Sequence, residues 1–367
     1  MLLTGKNILI ISPEAWGVNY VSKHHYSVEL SKKNNVFFLN PPSDRFERNE
    51  ISSNLEIVDY VAIRGVTRLP DAISGLIIKW SIGILEKKLD VSFDIIWNFD
   101  SSRFFNLKYL KSKFRICHIV DMAENIKRPV LAETADLCLC TSDFIHRELS
   151  PFNSNVYKIH HGYSSERKKQ NVKDEFSDKI QVGYIGNLSR LAIDWESIFK
   201  MIELFPHCQF NFIGNYDSSN LSKKPIEENV LKNLKSYQNV RLLGAQQSSL
   251  IPNYLEKFDI LLCAYKVENE GDIKQHSNLH KLMEYLGSGK VIVSSYSYEY
   301  RNEVQLLEMA NDRKDIVDCF DKVINNLGYY NSSEKQKERR LFAQRYSYAN
   351  NIKKIEQILS NYTPEMN

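Results

Sequence analysis

Short apolar runs alternate with amphipathic segments along most of the chain. The runs 7–12 and 94–97 are typical, since each is rich in branched aliphatic residues and ends at polar or glycine-containing positions. Between such runs, segments such as 74–89 carry apolar side chains at the spacing of an α-helix. Strands that alternate with helices predict parallel sheets covered by helices, so we expect an α/β fold.

One segment interrupts this alternation. Residues 163–178 have no hydrophobic periodicity and are dense in charge, as is typical of an exposed connection between domains. We therefore expect an N-terminal Rossmann-like domain over residues 1–162, a linker over 163–178 and a C-terminal Rossmann-like domain over 179–345. The pattern of 346–367 predicts a helix that crosses back to the N-terminal domain. Two doubly wound domains are expected to face each other across a cleft at the carboxyl ends of their strands.

The composition of the chain indicates which partners and which cellular setting to expect. The net charge of +3 comes from 48 basic and 45 acidic residues spread along the chain, so we expect no nucleic-acid partner. The six cysteines form no Cys-x-x-Cys pair and mostly lie in apolar runs, which favours a reducing, cytoplasmic setting. Segment 73–85 is apolar but short and contains Lys79, which indicates either a buried helix or a surface for peripheral membrane association.

The most informative stretch is 275–295, which predicts a loop, a helix, a glycine turn and a strand. Asn278, Lys281 and Glu284 are spaced three apart, share one arc of the helix and are candidate donor-binding residues. A nucleotide diphosphate needs positive charge and N–H donors at its phosphates and a carboxylate at its ribose hydroxyls, and a helix N-terminus with Lys281 and Glu284 supplies them. The alternative is an amphipathic helix with ordinary surface charges.

The string N-L-H-K-L-M-E-Y-L-G-S-G-K-V-I-V in this stretch resembles the signature of group 1 GT-B glycosyltransferases, typically N-P-x-K-x-x-E-Y-L-A-x-G-K-P-V-V. The resemblance implies that Lys281 approaches the donor diphosphate and that Glu284 binds the donor ribose. Leu279 and Val291 replace the two usual prolines. His276 stands where many retaining members have a first glutamate, which leaves both a retaining and an inverting outcome open.

A second match opens the C-terminal domain, where the predicted strand at 180–185 ends in a glycine loop with Gly186, Asn187 and Arg190. The family resemblance implies that this loop approaches the diphosphate and that the arginine neutralises it. Gly186 in a purely structural turn is the alternative. Gly244 lies where the family holds the nucleobase through backbone groups. The loop lacks the G-x-G-x-x-G pattern of nicotinamide enzymes, which argues against a dehydrogenase.

In the first half, candidate acceptor residues follow three predicted strands. Trp16 and Gly17 lie in the loop after the first strand, and His161 ends the last. Asp121 and Glu124 follow another strand and resemble the family's acidic pair at the cleft. In an inverting reaction, Asp121 would accept the proton of the acceptor hydroxyl; in a retaining one it would orient the acceptor. Helix capping by Asp121, and packing by Trp16 and Gly17, are the alternatives.

These features together predict a glycosyltransferase that moves a sugar from a nucleotide-diphosphate donor to a glycan or lipid-linked acceptor, in a bacterial surface-polysaccharide setting that the resemblance implies. No cofactor is expected, and no His, Cys or Asp cluster has the spacing of metal ligands, so the enzyme is predicted to work without a metal. Two alternatives stay open: a non-catalytic GT-B protein that binds a nucleotide or a partner, and a nucleotide-sugar epimerase of the same fold.

Overall fold

The computed structural model describes residues 3–17, 19–111, 113–122, 127–164, 176–216 and 225–361. The chain divides into two compact units, and each has a largely parallel sheet flanked by helices, which confirms the predicted α/β class. The first unit comprises Met1–Trp16, Tyr20–His160 and Tyr348–Asn367, and the second comprises Gly17–Asn19 and His161–Ser347. Among the described residues, no helix has the length and apolar character needed to cross a membrane.

The sheet of the first unit has the strand order β3-β4-β2-β1-β5-β6-β7-β8. Its central strands consist almost wholly of buried aliphatic and aromatic residues, as in NILII of β1 and IIWN of β5, because helices cover both faces of the sheet. The elements are β1 Asn7–Ile11, α1 Ser22–Ser31, β2 Asn35–Leu39, β3 Glu47–Ser52, β4 Leu55–Asp59, α2 Asp71–Leu89, β5 Ile95–Asn98, β6 Phe114–Ile119, α3 Arg128–Thr134, β7 Leu137–Cys140, α4 Asp143–Leu149 and β8 Val156–Lys158.

The edge of this sheet was not predicted from the sequence. Strand β3, ERNEIS, is exposed along nearly its whole length and pairs antiparallel with β4. It lacks the alternation of apolar and polar residues that signals a strand, because neither of its faces is buried. Arg48 donates to Glu56 of β4 across the pair, at 2.9 and 3.0 Å. A short, charged edge strand also discourages pairing with other chains.

The sheet of the second unit is parallel, with the order β11-β10-β9-β12-β13-β14. Gly183 in the middle of β9 lies against the ring of Phe258, where an added Cβ would stand only 2.1 Å from a ring carbon. The elements are β9 Ile180–Ile185, α5 Trp195–Leu204, β10 Cys208–Ile213, α6 Glu228–Ser236, β11 Val240–Gly244, α7 Ile251–Lys257, β12 Ile260–Cys263, α8 Glu270–Gln275, α9 His280–Ser288, β13 Val291–Ser294, β14 Glu308–Met309, α10 Ile316–Asn325, α11 Leu327–Tyr330 and α12 Ser333–Arg345.

The last helix, α13 (Tyr348–Ser360), packs within the first unit. The ring of Tyr348 stacks on that of His25 at 4.9 Å between centroids and meets Tyr26 edge-on at 5.0 Å. Glu356 accepts a hydrogen bond from the backbone N–H of Leu3 at 3.0 Å. Helix α13 thereby covers the face of the sheet that also packs against α1.

A buried arginine ties α12 to the rest of the second unit. Arg339 is 1% exposed and donates to the carbonyl oxygens of Leu306, Gly289 and Tyr330 at 2.8, 3.0 and 2.8 Å. Burial lowers the pKa of Arg339 to about 10, so the side chain stays charged at neutral pH. Its neighbour Arg340 is exposed.

We expect Arg339→Ala to lower the free energy of unfolding by about 3 kcal/mol, because three carbonyl groups lose a charged donor in a buried place. Arg340→Ala, which removes an exposed guanidinium with one hydrogen bond to the carbonyl oxygen of Ser288 at 3.0 Å, is the matched control and should cost less than about 1 kcal/mol. Urea denaturation of the purified proteins measures both. Equal losses in the two variants would show that the buried hydrogen bonds contribute nothing beyond the charge.

Candidate functional site

Three neighbouring strands of the second unit end in glycines, and the three strand ends are joined through their backbones. Gly186 follows β9, Gly214 follows β10 and Gly244 ends β11, with φ of +150°, +154° and +67°. The N–H of Gly186 donates to Ile213 and that of Gly214 to Gly244, both at 2.9 Å. A Cβ on Gly214 would lie 1.7 Å from the carbonyl oxygen of Gly186, so only glycine allows this approach. The edge of the sheet therefore presents bare backbone to any ligand.

Lys281 lies directly against this edge, in the first turn of α9. Its Nζ is 3.8 Å from the centroid of the Tyr184 ring and 5.0 Å from that of Tyr265. An added Cβ on Gly186 would lie 2.9 Å from the same Nζ. The Nζ is buried and has no hydrogen-bond partner within the described parts of the chain. Two aromatic faces thus hold the ammonium group where a carboxylate would normally pair with it.

This arrangement favours an anionic ligand. A buried ammonium without a hydrogen-bond acceptor is destabilising, because the group has lost water without gaining a partner. A phosphate oxygen placed beside the Gly186 backbone would supply the missing acceptor and the opposite charge. The two tyrosines are fixed in turn, since both are 1% exposed and their hydroxyl groups lie 3.3 Å apart.

The loop after Gly186 brings a second cation to the same place. Asn187 shapes the loop, because its Oδ1 accepts from the N–H and the hydroxyl of Ser189 at 3.0 and 2.6 Å. The exposed guanidinium of Arg190 lies 5.9 Å from the centroid of Tyr265. Tyr265 is therefore a common neighbour of Arg190 and Lys281, and the two positive charges approach one ring.

The far end of the same loop is anchored to strand β12. The N–H of Asp194 donates to the carbonyl of Ala264 at 3.2 Å, and its fully buried carboxylate accepts from Arg313 at 2.7 and 2.8 Å. Asp194 also caps α5, as its Oδ1 accepts from the N–H of Ser197 at 3.3 Å. These contacts hold the chain segment that carries Arg190 beside Tyr265.

His276 presents a third polar group next to Tyr265. Its ring is 1% exposed and lies 5.0 Å from that of Tyr265. Its Nδ1 lies 2.9 Å from the carbonyl oxygen of Asp272, a contact that requires a proton on Nδ1. Burial lowers the pKa of His276 below its usual 6.5, and the nearby Arg190 and Lys281 lower it further. The ring is therefore neutral at physiological pH, and its buried Nε2, with no partner within the described segments, is a hydrogen-bond acceptor.

Glu284, Asn278 and His161 surround the start of α9. Glu284 lies one turn beyond Lys281 and is half-buried, with its carboxylate within 4.8 Å of a ring nitrogen of His280. His161, which the sequence predicts to line the acceptor side, belongs to the second unit and lies against this segment. Its Nε2 lies 3.1 Å from the carbonyl oxygen of Asn278, and its ring meets that of His280 edge-on.

The remaining candidates follow strands β1 and β6 along the chain. Trp16 packs edge-on against Tyr20 and Phe38, and its backbone N–H donates to Asn40 at 2.8 Å. Gly17, the next residue, is grouped with the second unit. Asp121 follows β6 and is exposed; it does not cap α3, whose N-cap residue is Lys127.

Glu124, the second residue of the predicted acidic pair, lies outside the described residues, so the structure gives a position only for Asp121.

Several residues of these sites were missed in the sequence analysis. Tyr184 and Tyr265 lie in or beside apolar strands, where an aromatic residue is typical of the core.

The pair Asp100–Arg103 follows β5, and Arg103 also donates to the carbonyl of Ser12 at 2.6 Å. A cavity of about 250 Å³ adjoins this pair; it is lined by Tyr60, Ile63, Val66, Ile77, Arg103 and Phe104, among others. In the sequence, the two charged residues Asp100 and Arg103, shortly after the end of a predicted strand, were the signal that could have identified this pair.

If the ammonium of Lys281 lacks a partner in the unliganded protein, Lys281→Met should raise the free energy of unfolding by about 1 kcal/mol. Methionine keeps the contact with the two rings and removes the buried charge. Lys274→Met removes the exposed partner of Glu270 and should change stability by less than about 0.5 kcal/mol. Thermal denaturation without ligand measures both, and a clear loss in Lys281→Met would contradict this description of the site.

Solved structures of known proteins share this architecture. A glycosyltransferase from Rickettsia africae has a TM-score of 0.69 over 98% of this chain and 100% of its own, at 12% identity. The Anabaena protein Alr3699/HepE, solved in complex with UDP and glucose, has a TM-score of 0.67 over 97% and 100%, at 11% identity. A protein described as a UDP-N-acetylglucosamine 2-epimerase from Listeria monocytogenes has a TM-score of 0.54 over 99% and 98%, at 11% identity.

No protein-family model and no curated protein matches the chain. At such low identity the structural likeness establishes the fold and leaves the activity to be argued from the site. The expectation drawn from the sequence resemblance is confirmed at that level: the chain has the GT-B fold, with two Rossmann-like α/β units.

Proposed function

We propose that the protein is a glycosyltransferase that binds the diphosphate of a nucleotide-sugar donor at Lys281, Gly186 and Arg190. The observation that carries the proposal is the buried Nζ of Lys281, which lies against the Gly186 backbone without a hydrogen-bond partner among the described residues. A diphosphate supplies acceptor oxygens and negative charge together, and the N-terminus of α9 adds N–H groups and a favourable dipole.

The two cations also suit the chemistry of transfer. When the acceptor oxygen attacks the anomeric carbon, the bond from that carbon to the diphosphate oxygen breaks and a negative charge develops on the leaving group. Lys281 and the exposed Arg190 stabilise this charge. They supply the positive charge that a divalent metal ion supplies to diphosphates elsewhere, so we propose that transfer is metal-independent and proceeds in the presence of EDTA.

The rest of the donor is assigned to neighbouring groups of the second unit. Glu284 lies one helical turn beyond Lys281 and is proposed to accept hydrogen bonds from the ribose hydroxyls. Backbone groups near Gly244 are proposed to hold the base, and Asn278 to support the start of α9. Solved neighbours of the same fold contain UDP, so we propose a UDP-sugar as the donor to test first.

The acceptor side is assigned to the first unit. We propose that Asp121, exposed after β6, accepts the proton of the acceptor hydroxyl in an inverting reaction, or orients the acceptor if the leaving phosphate oxygen takes that proton. Glu124, Trp16 and Gly17 are proposed to contribute to acceptor binding. A glycan or lipid-linked acceptor in bacterial surface-polysaccharide synthesis remains our proposal for the pathway.

A nucleotide-sugar epimerase is the second candidate, since an epimerase-like structure from Listeria monocytogenes shares the fold. Both candidates bind the same donor class. Epimerisation converts the sugar without an acceptor, whereas transfer requires one, so product analysis with and without an acceptor separates them.

Donor binding should depend on Lys281 and Glu284. We expect UDP-sugars to raise the melting temperature of the wild type, and both Lys281→Ala and Glu284→Ala to weaken binding by about 10-fold to 100-fold, because each removes a charged hydrogen-bonding partner. Lys274→Ala, which removes a partly exposed lysine paired with Glu270, is the control. A thermal-shift panel with UDP, GDP, ADP and dTDP sugars measures the effect; shifts indifferent to both site variants would contradict the assignment.

His276 should contribute to sugar binding and not to nucleotide binding. Its neutral, buried Nε2 can accept a hydrogen bond from a sugar hydroxyl, so we expect His276→Ala to weaken the UDP-sugar about 10-fold and leave UDP unchanged. His276→Gln keeps an acceptor near the same position and should restore most of the affinity. Isothermal titration calorimetry measures the affinity for each of the two ligands. An equal loss of affinity for UDP and for the UDP-sugar in His276→Ala would contradict this role.

A further inference from the structure

Helix α2 has two apolar faces, although a surface helix normally needs one. Its inner face is formed by Ile78, Ile82, Leu85 and Leu89, which are at most 4% exposed and belong to the core of the first unit. This face alone accounts for the packing of α2 on its sheet. The sequence of this segment predicts either a buried helix or a membrane-docking surface, and the structure shows a helix that is buried on one side only.

The opposite face carries large apolar side chains in contact with solvent. Ile73, Leu76 and Trp80 are 47%, 54% and 61% exposed, and their spacing of three and four residues places them on one side of the helix. The loop before α2 adds Val61 and Ile63, which are 61% and 41% exposed. We call these five residues the α2 surface.

The cavity described above shows that the loop and the helix lie side by side, since Ile63 and Val66 of the loop line it together with Ile77 and Ile78 of α2. The exposed residues Val61 and Ile63 therefore extend the apolar stripe of α2 sideways. Exposed apolar side chains gathered in this way, as opposed to scattered singly, mark a surface that binds something.

The charges around the α2 surface are positive. Arg64, Arg68, Lys79 and Lys87 are exposed. The helix also contains Asp71 and Glu86, but each is paired with a lysine outside the helix, Lys127 at 3.1 Å and Lys113 at 2.6 Å. The apolar side chains are thus flanked by basic groups, and two of the nearby acidic groups are already neutralised.

We propose that the α2 surface is a membrane-docking face, on which Ile73, Leu76 and Trp80 enter the interfacial layer of an anionic lipid bilayer and the flanking basic side chains bind its headgroups. An apolar helical face flanked by lysine and arginine, with a tryptophan at its centre, has the chemistry that interfacial helices share. The proposal concerns the first unit and does not rest on the proposed glycosyl transfer.

A second copy of the chain fits this surface less well. A symmetric contact would bring the same basic groups of two copies together without acidic partners. Five side chains that are about half exposed also fall short of the ~800 Å² that each partner buries in a stable interface.

Co-sedimentation of the full chain with lipid vesicles tests the proposal. We expect binding to vesicles of phosphatidylcholine and phosphatidylglycerol, weak binding to phosphatidylcholine alone, and release at high salt. The triple variant Ile73→Ser, Leu76→Ser, Trp80→Ser should lower the partition coefficient by at least about 10-fold, because three apolar side chains no longer leave water. The control variant Leu191→Ser, Leu204→Ser, Val304→Ser removes side chains that are 71%, 62% and 75% exposed in the second unit and should bind as the wild type does.

Tryptophan fluorescence gives an independent signal. Trp80 is the most exposed of the four tryptophans, so its emission should shift to shorter wavelength when anionic vesicles are added. Trp80→Phe should still bind the vesicles and lose this shift, which assigns the signal to this position. Equal sedimentation of the wild type and the triple variant would overturn the proposal. A wild-type dimer that the triple variant converts to a monomer would overturn it as well, in favour of self-association.

Discussion

The buried ammonium group of Lys281 is the interaction on which the second unit's site depends. It can lie against the sheet edge only because position 186 has no side chain, and it stays there because the faces of Tyr184 and Tyr265 replace a carboxylate. The backbone packing of Gly186 against Gly214 holds the neighbouring strand end in place. The sheet edge, its glycines and the two aromatic rings thus together hold one positive charge, which lacks a hydrogen-bond acceptor among the described residues.

An ammonium group without an acceptor lowers the stability of the unliganded protein and strengthens the binding of an anionic ligand. The free-energy cost of keeping Lys281 without an acceptor lowers the net stability of the unliganded protein, and the tyrosines that hold it, Tyr184 and Tyr265, are almost fully buried. Arg190 and His276 also lie beside the ring of Tyr265, one as an exposed cation and the other as a neutral acceptor. One aromatic side chain therefore positions groups suited to phosphate, to leaving-group charge and to hydroxyls.

Much of this could be predicted from the sequence, for identifiable reasons. Most parallel strands could be predicted because burial on both faces makes them continuous apolar runs, although the parallel strand β4 was missed. The glycine and lysine positions could be predicted because a short motif contains them. The edge strand β3 was missed because its exposed residues carry no pattern. Tyr184 and Tyr265 were missed because a buried tyrosine beneath a ligand site and a buried tyrosine in a core look the same in sequence. The tautomer of His276 depends on the carbonyl of Asp272, a contact that only the fold creates.

The role of Lys281 can be measured with a thermodynamic cycle that removes its charge and the phosphates of the ligand separately. Calorimetric titration of the wild type and Lys281→Met with UDP and with uridine gives the coupling between the two changes. We expect Lys281→Met to weaken the binding of UDP by about 10-fold to 100-fold and to leave the binding of uridine unchanged, since the ammonium pairs with phosphate. Equal weakening of both ligands, or of neither, would contradict the assignment of Lys281 to the diphosphate.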